Sequence, residues 1–451
     1  LFWGPAAPMA RIVMKFGGAS LSGVSEITQA VELISGYREQ GPVAIVVSAI
    51  GTMTEYLFNG LRKGEEGSTL LAACFQFHEE LCKGLKVDSV ILDPLRAEIK
   101  ELSQNRETMP AISYQERVVA FGEQFSARVV AAALSKKTPA SAFDSWDAGI
   151  ELRDDKGYRE IREAGYVRIR KTLKEKTQDF RIIPVITGYI GKQRNGMITN
   201  LGRGGSDLTA TALGAALEAR EIIAWKDVTG IMSADPCVVS SADVIPEISY
   251  EEAGEMAFFG AQVLHPRSMD PARAHGVPVR IKSFLKPEHP GTLIRGEIGG
   301  AGFLKAVTGR KDIVLIDIVS NRMLGQYGFL SRIFSVFEAL QLSVDLIATS
   351  EVSVSCTLDE NHDAELLKAS LEKYAQVSIH PDRGILTLIG GGQAAPLLLA
   401  EALKNLHDEG IQVEMVSHGA SKTSTGIVLK SKDLNKALNM IHGALLEEVT
   451  I

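Results

Sequence analysis

The residue types best suited to chemistry fall in two glycine-rich segments, 15–20 (KFGGAS) and 202–207 (GRGGSD). In the first, Lys15 closes an apolar run and is followed by Gly17 and Gly18, whose bare backbone N–H groups let an anion come close. A compact ammonium at that point suits neutralisation of a phosphoryl group in transfer. The same residues also fit a plain strand-to-helix turn with a solvated lysine. In the second segment three glycines surround Arg203, so its guanidinium has open access to a ligand and can fork a carboxylate or phosphate. Ser206 or Asp207 is placed to cap the helix that follows, which accounts for them but leaves an arginine among glycines unexplained. Neither segment has the spacing of a Walker A loop or of a G-x-G-x-x-G dinucleotide turn. Glu123 is a third candidate, the lone acid on the helical row Val119, Glu123, Ala127, Val130. That position fits either the boundary of a core or a site that needs a negative charge.

Such residues need elements to hold them. Residues 12–16 (IVMKF) read as a strand, followed by a helix through Ile27, Val31 and Ile34. Residues 43–47 (VAIVV), nearly all β-branched, read as a second strand buried on both faces. Three helical stretches follow between about Thr54 and Leu102, and another from about Ser113 to Leu134. Further strands are expected at 182–186, 222–225 and 278–281. Strands separated by helices predict an α/β fold with a mainly parallel sheet covered on both faces. Ligands in such sheets bind beyond the carboxyl ends of the strands, where the glycine-rich turns fall.

The last third has a different rhythm. A strand at 313–319 leads to a helix at 329–340 and then to strands at 343–347 and 352–357. About seventy residues later the pattern returns: a strand at 384–389, a helix at 398–408, and strands at 412–416 and 426–429. Both copies have β-α-β-β order, so a diverged internal repeat of two small α+β modules is expected. Residues 295–307, rich in glycine and alanine, read as the linker before them.

Bulk properties exclude several classes. The 451 residues predict two or three domains, and 45% hydrophobic with 23% charged residues is the composition of a soluble globular protein. No apolar run reaches the roughly 18 to 20 residues that cross a bilayer. A net charge of −7, with acids and bases mixed along the chain, argues against nucleic acid or an anionic membrane as main partner. Cys74, Cys82, Cys237 and Cys356 are scattered and read as free thiols in a reducing compartment. Residues 1–8 (LFWGPAAP) lack the pattern of a signal peptide, and Met9 looks like a natural start.

Taken in order, the motifs resemble those of the aspartate kinases of the amino-acid kinase superfamily. The matching segments are 15–18 (KFGG), 47–51 (VSAIG) with Thr54, Gly122 with Glu123, 187–191 (TGYIG), 202–207 (GRGGSD), 225–228 (WKDV), Asp235 with Pro236, and 263–266 (VLHP). The tail, with 322–325 (RMLG) and 348–353 (ATSEVS), resembles the paired ACT domains of these enzymes. Lys226, Gln262 and the 323–326 run look more like plant lysine-sensitive members than common bacterial ones. The resemblance covers the chain from Met9 onward. It implies a kinase domain over residues 9–300 and ferredoxin-like ACT modules over 308–380 and 381–451, with strand exchange between them possible.

The resemblance also implies roles. Lys15, Gly17, Gly18 and Asp207 would be catalytic, with Asp207 orienting the substrate amine and nearby cations. Ser48, Thr54, Glu123, Arg203 and Ser206 would bind aspartate, Arg203 taking the α-carboxylate and Glu123 the ammonium. ATP would meet Lys15, Gly18, Lys226, Asp227, Met232 and Gln262, with Mg²⁺ held mainly by the nucleotide and no dedicated metal site. Gln262 and Cys237 stand where many relatives carry a lysine and an arginine, so positive charge is missing there, and Lys226 or Lys282 would have to compensate. Met323, Gln326, Phe329, Leu330, Ser343, Val344, Asp345, Ser350 and Glu351 would form an effector site, with lysine the expected ligand and S-adenosylmethionine a second. A dimer or higher assembly through the ACT modules is implied, in the cytoplasm of a bacterium or the plastid stroma of a plant. Two alternatives stay open: a glutamate- or acetylglutamate-class kinase, which is shorter and lacks this tail, and a non-catalytic sensor, which would have lost the charged site residues.

Overall fold

The computed structural model describes residues 11–155, 158–259, 264–296, 304–320, 327–359, 364–419 and 423–447. The chain opens with β1 (Ile12–Phe16), α1 (Val24–Glu39), β2 (Val43–Val47), α2 (Met53–Arg62), α3 (Gly67–Leu85), α4 (Asp93–Gln104) and α5 (Ala111–Ser135). Next come β3 (Ala140–Phe143), β4 (Glu151–Asp155), β5 (Tyr158–Ile161), α6 (Tyr166–Lys176), β6 (Ile183–Thr187), β7 (Ile190–Gln193), β8 (Ile198–Asn200), α7 (Gly205–Leu217) and β9 (Glu221–Lys226). Then follow β10 (Glu247–Ser249), α8 (Tyr250–Phe259), α9 (Asp270–Ala274), β11 (Val279–Ser283) and β12 (Thr292–Arg295). The tail holds β13 (Leu304–Val319), α10 (Phe329–Ala339), β14 (Ile347–Thr349), β15 (Ser353–Asp359), α11 (Ala364–Leu371), β16 (Gln376–Gly390), α12 (Ala395–Asp408), β17 (Val413–His418), β18 (Ser424–Lys430) and α13 (Leu434–His442).

Two compact units emerge, one from residues 11–231 and 264–296, the other from 232–259 and 304–447. In the first, the main sheet runs β12-β11-β9-β1-β2-β6-β3. All neighbours are parallel except the β11–β12 pair. Every residue of β1, β2 and β6 is buried, which explains their unbroken apolar character. Trp225, Phe16 and Phe284 pack together beside β1, with the Phe16 and Trp225 rings 6.1 Å apart. Burying each such ring stabilises the sheet by roughly 1.5–3 kcal/mol. Helix α5 alone among the described helices has the length and hydropathy of a membrane span, but 83% of that stretch is buried inside the fold. A smaller sheet, β5-β4-β7-β8, extends the unit.

In the second unit the order β14-β15-β13-β16-β18-β17 reads the same from either end once the two repeats are exchanged. β13 and β16 pair antiparallel along most of their length, so one continuous ladder serves both modules. The expected module boundary at 380/381 falls inside β16. Residues 232–259 are built into this unit although they precede the tail by some distance in the chain. Thr308 donates its hydroxyl to the Phe259 carbonyl at 3.1 Å, and Lys305 pairs with Glu252 at 2.6 Å. Asn439 donates to the Val238 carbonyl at 2.9 Å, and the buried His442 lies 2.9 Å from the Ser233 hydroxyl.

The mixed architecture is the expected one, with local corrections. The strand expected at 343–347 is ladder only from Ile347; the run before it is held instead by Asp345 N–H on the Thr357 carbonyl. Leu304–Val307 belong to β13 rather than to a linker. β3, β4 and β5 escape a periodicity reading because they are short and, in β4 and β5, charged.

One glycine is demanded by close approach. A Cβ on Gly18 would stand 2.2 Å from the Gly51 carbonyl oxygen and 2.9 Å from that of Ala49, whereas one on Gly17 meets nothing nearer than the Lys15 ammonium at 3.5 Å. Gly18→Ala is therefore expected to destabilise by about 1–3 kcal/mol, and Gly17→Ala to melt like the parent. Thermal unfolding of the two variants checks the contrast, and equal midpoints would contradict it.

Candidate active site

Lys15 and Lys226 come from neighbouring parallel strands, β1 and β9, near their carboxyl ends, while Asp207 enters from the first turn of α7. Each lysine ammonium lies 2.9 Å from one oxygen of the Asp207 carboxylate. Burial alone would raise the Asp207 pKa, but the two ammonium groups overcome it and hold the carboxyl at about 2. Burial pulls the Lys15 pKa below its ordinary value, opposed by Asp207. Asp207 thus does not cap α7: Gly204 occupies the cap position in a left-handed conformation, and no side chain closes the turn. Gly204 also has no room for a side chain, since its Cβ would meet that of His265 at 2.7 Å.

Glu123 is 2% exposed on α5, and burial pushes its carboxyl up to about 8, against the Ala49 N–H, the Lys15 ammonium and the Thr54 hydroxyl. Its Oε2 has no hydrogen-bond partner among the described residues. Ser48 follows β2, and its carbonyl accepts from the Ser126 hydroxyl on α5 at 2.7 Å. Ser206 closes against Gly188, where any side chain would come within 2.7 Å of the serine Cβ. Arg203 is exposed at the tip of its loop, between Gly202 and Gly204, both left-handed. The result is an exposed arginine, a buried carboxyl with one oxygen unpartnered among the described residues, and a lysine pair bridged by aspartate. Such a set can hold an amino acid by both its charges and bring a polyanion beside it.

The sequence matches the amino acid kinase family over residues 10–283 and the ACT domain family over 316–369 and 386–445. Aspartokinase 2, chloroplastic, of Arabidopsis thaliana is 36% identical over 461 residues, which cover 96% of this chain and 84% of that one. The chain belongs to the aspartokinase family. The crystal structure of E. coli aspartokinase III in complex with aspartate and ADP superposes with a TM-score of 0.77 at 27% identity, covering 96% of this chain and 99% of that one. The complex of the same enzyme with lysine and aspartate gives 0.79 at 28% identity, with the same coverage.

Of the residues expected at the nucleotide in this aspartokinase-family fold, Lys15 and Lys226 come together on Asp207. Lys226 is committed to Asp207 rather than free. Asp227 is exposed just beyond β9, Met232 belongs to the second unit, and Gln262 lies outside the described residues. Lys282 sits 5.6 Å from the Trp225 ring, with its pKa lowered first by burial. Three residues escaped notice. Tyr189 is left-handed at φ +63°, uncommon for a bulky side chain and a mark of local strain. Burial and the nearby Glu123 push its hydroxyl up to about 12. Glu116 and Arg159 form an ion pair below the arginine loop. Only the position of Tyr189, inside a recognisable segment, signalled it.

In the tail, Met323 and Gln326 lie outside the described residues. Phe329 is buried in the module core with Ile333 and Phe337, whereas Leu330 is exposed. Ser343 is exposed and Val344 packs against the same core. Asp345 pairs with Arg310 at 3.2 Å, its side chain only 4% exposed. The Ser350 and Ser353 hydroxyls bond at 2.7 Å beside the exposed Glu351.

A carboxyl whose folded pKa is raised favours folding while it is protonated and loses that contribution as pH rises. For Glu123 the loss begins at the ordinary glutamate value of 4.5 and is complete above about 8. Glu123→Gln, neutral throughout, is expected to melt like the parent near pH 4 and above it by a margin that widens toward pH 8 and then levels. Calorimetry across that range tests this, and a margin independent of pH would rule out the buried-carboxyl assignment.

Proposed function

We propose that the chain transfers the γ-phosphoryl group of ATP to the side-chain carboxylate of L-aspartate, giving ADP and 4-phospho-L-aspartate. The observation that carries this reading is the buried Lys15–Asp207–Lys226 bridge at the carboxyl ends of β1 and β9, with Glu123 near enough to Lys15 to feel its charge and Arg203 on the loop that leads into α7. Arg203 takes the α-carboxylate of aspartate and Glu123 its ammonium, with Ser48, Thr54 and Ser206 lining the pocket. An ammonium arriving at Glu123 restores the ionised form that burial alone disfavours.

The nucleophile is a carboxylate with an ordinary pKa near 4, ionised at neutral pH, so no general base is needed. One of its oxygens forms the new bond to phosphorus as the bond to the β–γ bridging oxygen breaks, and ADP leaves with that electron pair. The obstacle is the approach of two anions, which positioning and fixed positive charge must offset. Lys15, buried and held by Asp207, is placed to follow the transferring group, with the N–H groups of Gly17 and Gly18 beside it. Lys226 anchors Asp207 from the opposite oxygen and so keeps Lys15 in place. Mg²⁺ carried on the nucleotide's own phosphates would supply further charge neutralisation.

The paired ACT modules act as the sensor, with lysine as effector. Support comes from the likeness to the E. coli enzyme solved with lysine and from Asp345, a shielded carboxylate able to accept an ammonium in place of Arg310. Inhibition requires lysine to bind a less active state more tightly. A dimer or higher assembly through the ACT modules belongs to the same reading; the outer strands β14 and β17 already meet each other, the Ser417 hydroxyl donating to the Ile347 carbonyl at 3.1 Å.

An ADP-release assay is expected to give turnover with aspartate, little with glutamate, and a lowered rate when lysine is added. Turnover with glutamate alone would overturn the substrate, and a rate indifferent to millimolar lysine would remove the effector. Lys15→Ala should lower kcat by on the order of a hundredfold or more, and Arg203→Ala should act chiefly on the aspartate KM. Near-parental kcat in the lysine variant would count against the mechanism.

A further inference from the structure

Glu116 lies on α5 seven residues before Glu123, two helical turns away and on the same face. Its carboxylate gathers three donors from other elements. Oε2 accepts the Thr199 hydroxyl at 2.7 Å, and Oε1 accepts the Asn200 side-chain amide at 3.2 Å and pairs with Arg159. Arg159, on β5, also donates to the Asn200 backbone carbonyl at 3.0 Å and to Asp154 at 3.0 Å. The Asn200 side chain in turn accepts the Gly202 N–H at 3.1 Å, and the Leu201 N–H is taken by the Tyr189 carbonyl at 2.8 Å. Thr199 is fully buried and the Glu116 side chain is 11% exposed. Every residue from Thr199 to Gly202 is therefore tied down, and the next residue is Arg203, with no partner of its own among the described residues.

We infer that Glu116 and Arg159 form a bracket that fixes Arg203 relative to Glu123, making them positioning residues for amino-acid recognition. One helix carries both the Glu123 carboxyl and the anchor of the loop that presents the guanidinium. The separation between the two recognition points is thereby set by the pitch of α5 rather than by loop flexibility. An α-amino acid spans that gap with its ammonium and carboxylate, while the nucleotide touches neither. The bracket consequently acts on aspartate affinity and on discrimination between L- and D-aspartate, and leaves ATP affinity alone. This rests on the reading in which Arg203 holds the α-carboxylate.

The test is steady-state kinetics on Thr199→Val, Thr199→Ser and Glu116→Gln, with melting temperatures measured alongside. Val is close in shape to Thr but lacks the hydroxyl, and Ser retains it. Losing one hydrogen bond to a charged acceptor is expected to raise the aspartate KM about tenfold in Thr199→Val and at least as much in Glu116→Gln. The ATP KM should stay within about twofold, and Thr199→Ser should restore parental values. On an Arg203→Ala background, Thr199→Val should add nothing further, since both act through one group. An aspartate KM raised by Arg203→Ala but not by Thr199→Val, or a valine effect that persists without Arg203, would overturn the bracket alone. An aspartate KM indifferent to Arg203→Ala would instead sink the pocket reading, and the bracket with it. If Glu116→Gln fails to fold, the Thr199 pair still decides.

Discussion

The structure turns on one carboxylate shared by two ammonium groups. Asp207 ties the first turn of α7 to β1 through Lys15 and to β9 through Lys226, all near the carboxyl ends of the strands. Buried ions of this kind are tolerated only when each is matched, and removing one member strands the others at a cost of about 3–5 kcal/mol. The bridge therefore holds a lysine in place before any ligand arrives. At neutral pH Glu123 adds little negative charge, since burial keeps its carboxyl largely protonated. Two lysines then face a single ionised acid, and the pocket keeps a surplus of positive charge in surroundings that screen it poorly. A polyanion is the natural visitor to such a place.

Helix α5 is the second organising element. It is long enough to reach from the ion-pair cluster around Glu116 to the Ser48 carbonyl, and it is buried along most of its length. On either side of Ser126, Gln124 and Arg128 both donate to the Asp144 carboxylate at the end of β3. The helix is thus fixed to the ends of several strands by polar contacts as well as by packing. Its side chains near the site consequently have little freedom to adjust, and recognition is built by preorganisation rather than by local refolding on ligand binding.

How much of this was legible depended on the kind of constraint. The buried strands β1 and β2 announced themselves because complete burial leaves an unbroken apolar run. The repeat was visible because helix and strand spacing return in the tail, although the shared β13–β16 ladder was not, since pairing between distant strands leaves no periodic trace. Lys15, Arg203 and Asp207 stood out by their glycine neighbours. That Asp207 spends its charge on two lysines was invisible, because no local pattern links positions 15, 207 and 226. Glu116 and Arg159 look like ordinary surface charges on an amphipathic helix and a charged strand. Only the folded chain shows that their charges meet beneath a loop. In the tail, Phe329 falls in a recognisable segment, and the folded chain adds that its ring is buried in the module core.

The path of residues 232–259 has an evolutionary and practical corollary. This stretch belongs by order to the catalytic sequence, yet Ala234, Val239 and Phe259 find their apolar neighbours among tail residues such as Leu438, Ile385 and Val428. A gene cut ahead of β13 would leave those side chains facing water and Glu252 without its lysine. The catalytic portion is therefore no cassette that recombination could lift out or swap whole. Ancestral shuffling of the tail, or an engineer's chimera, would have to resurface an inner stretch of the catalytic sequence at the same time.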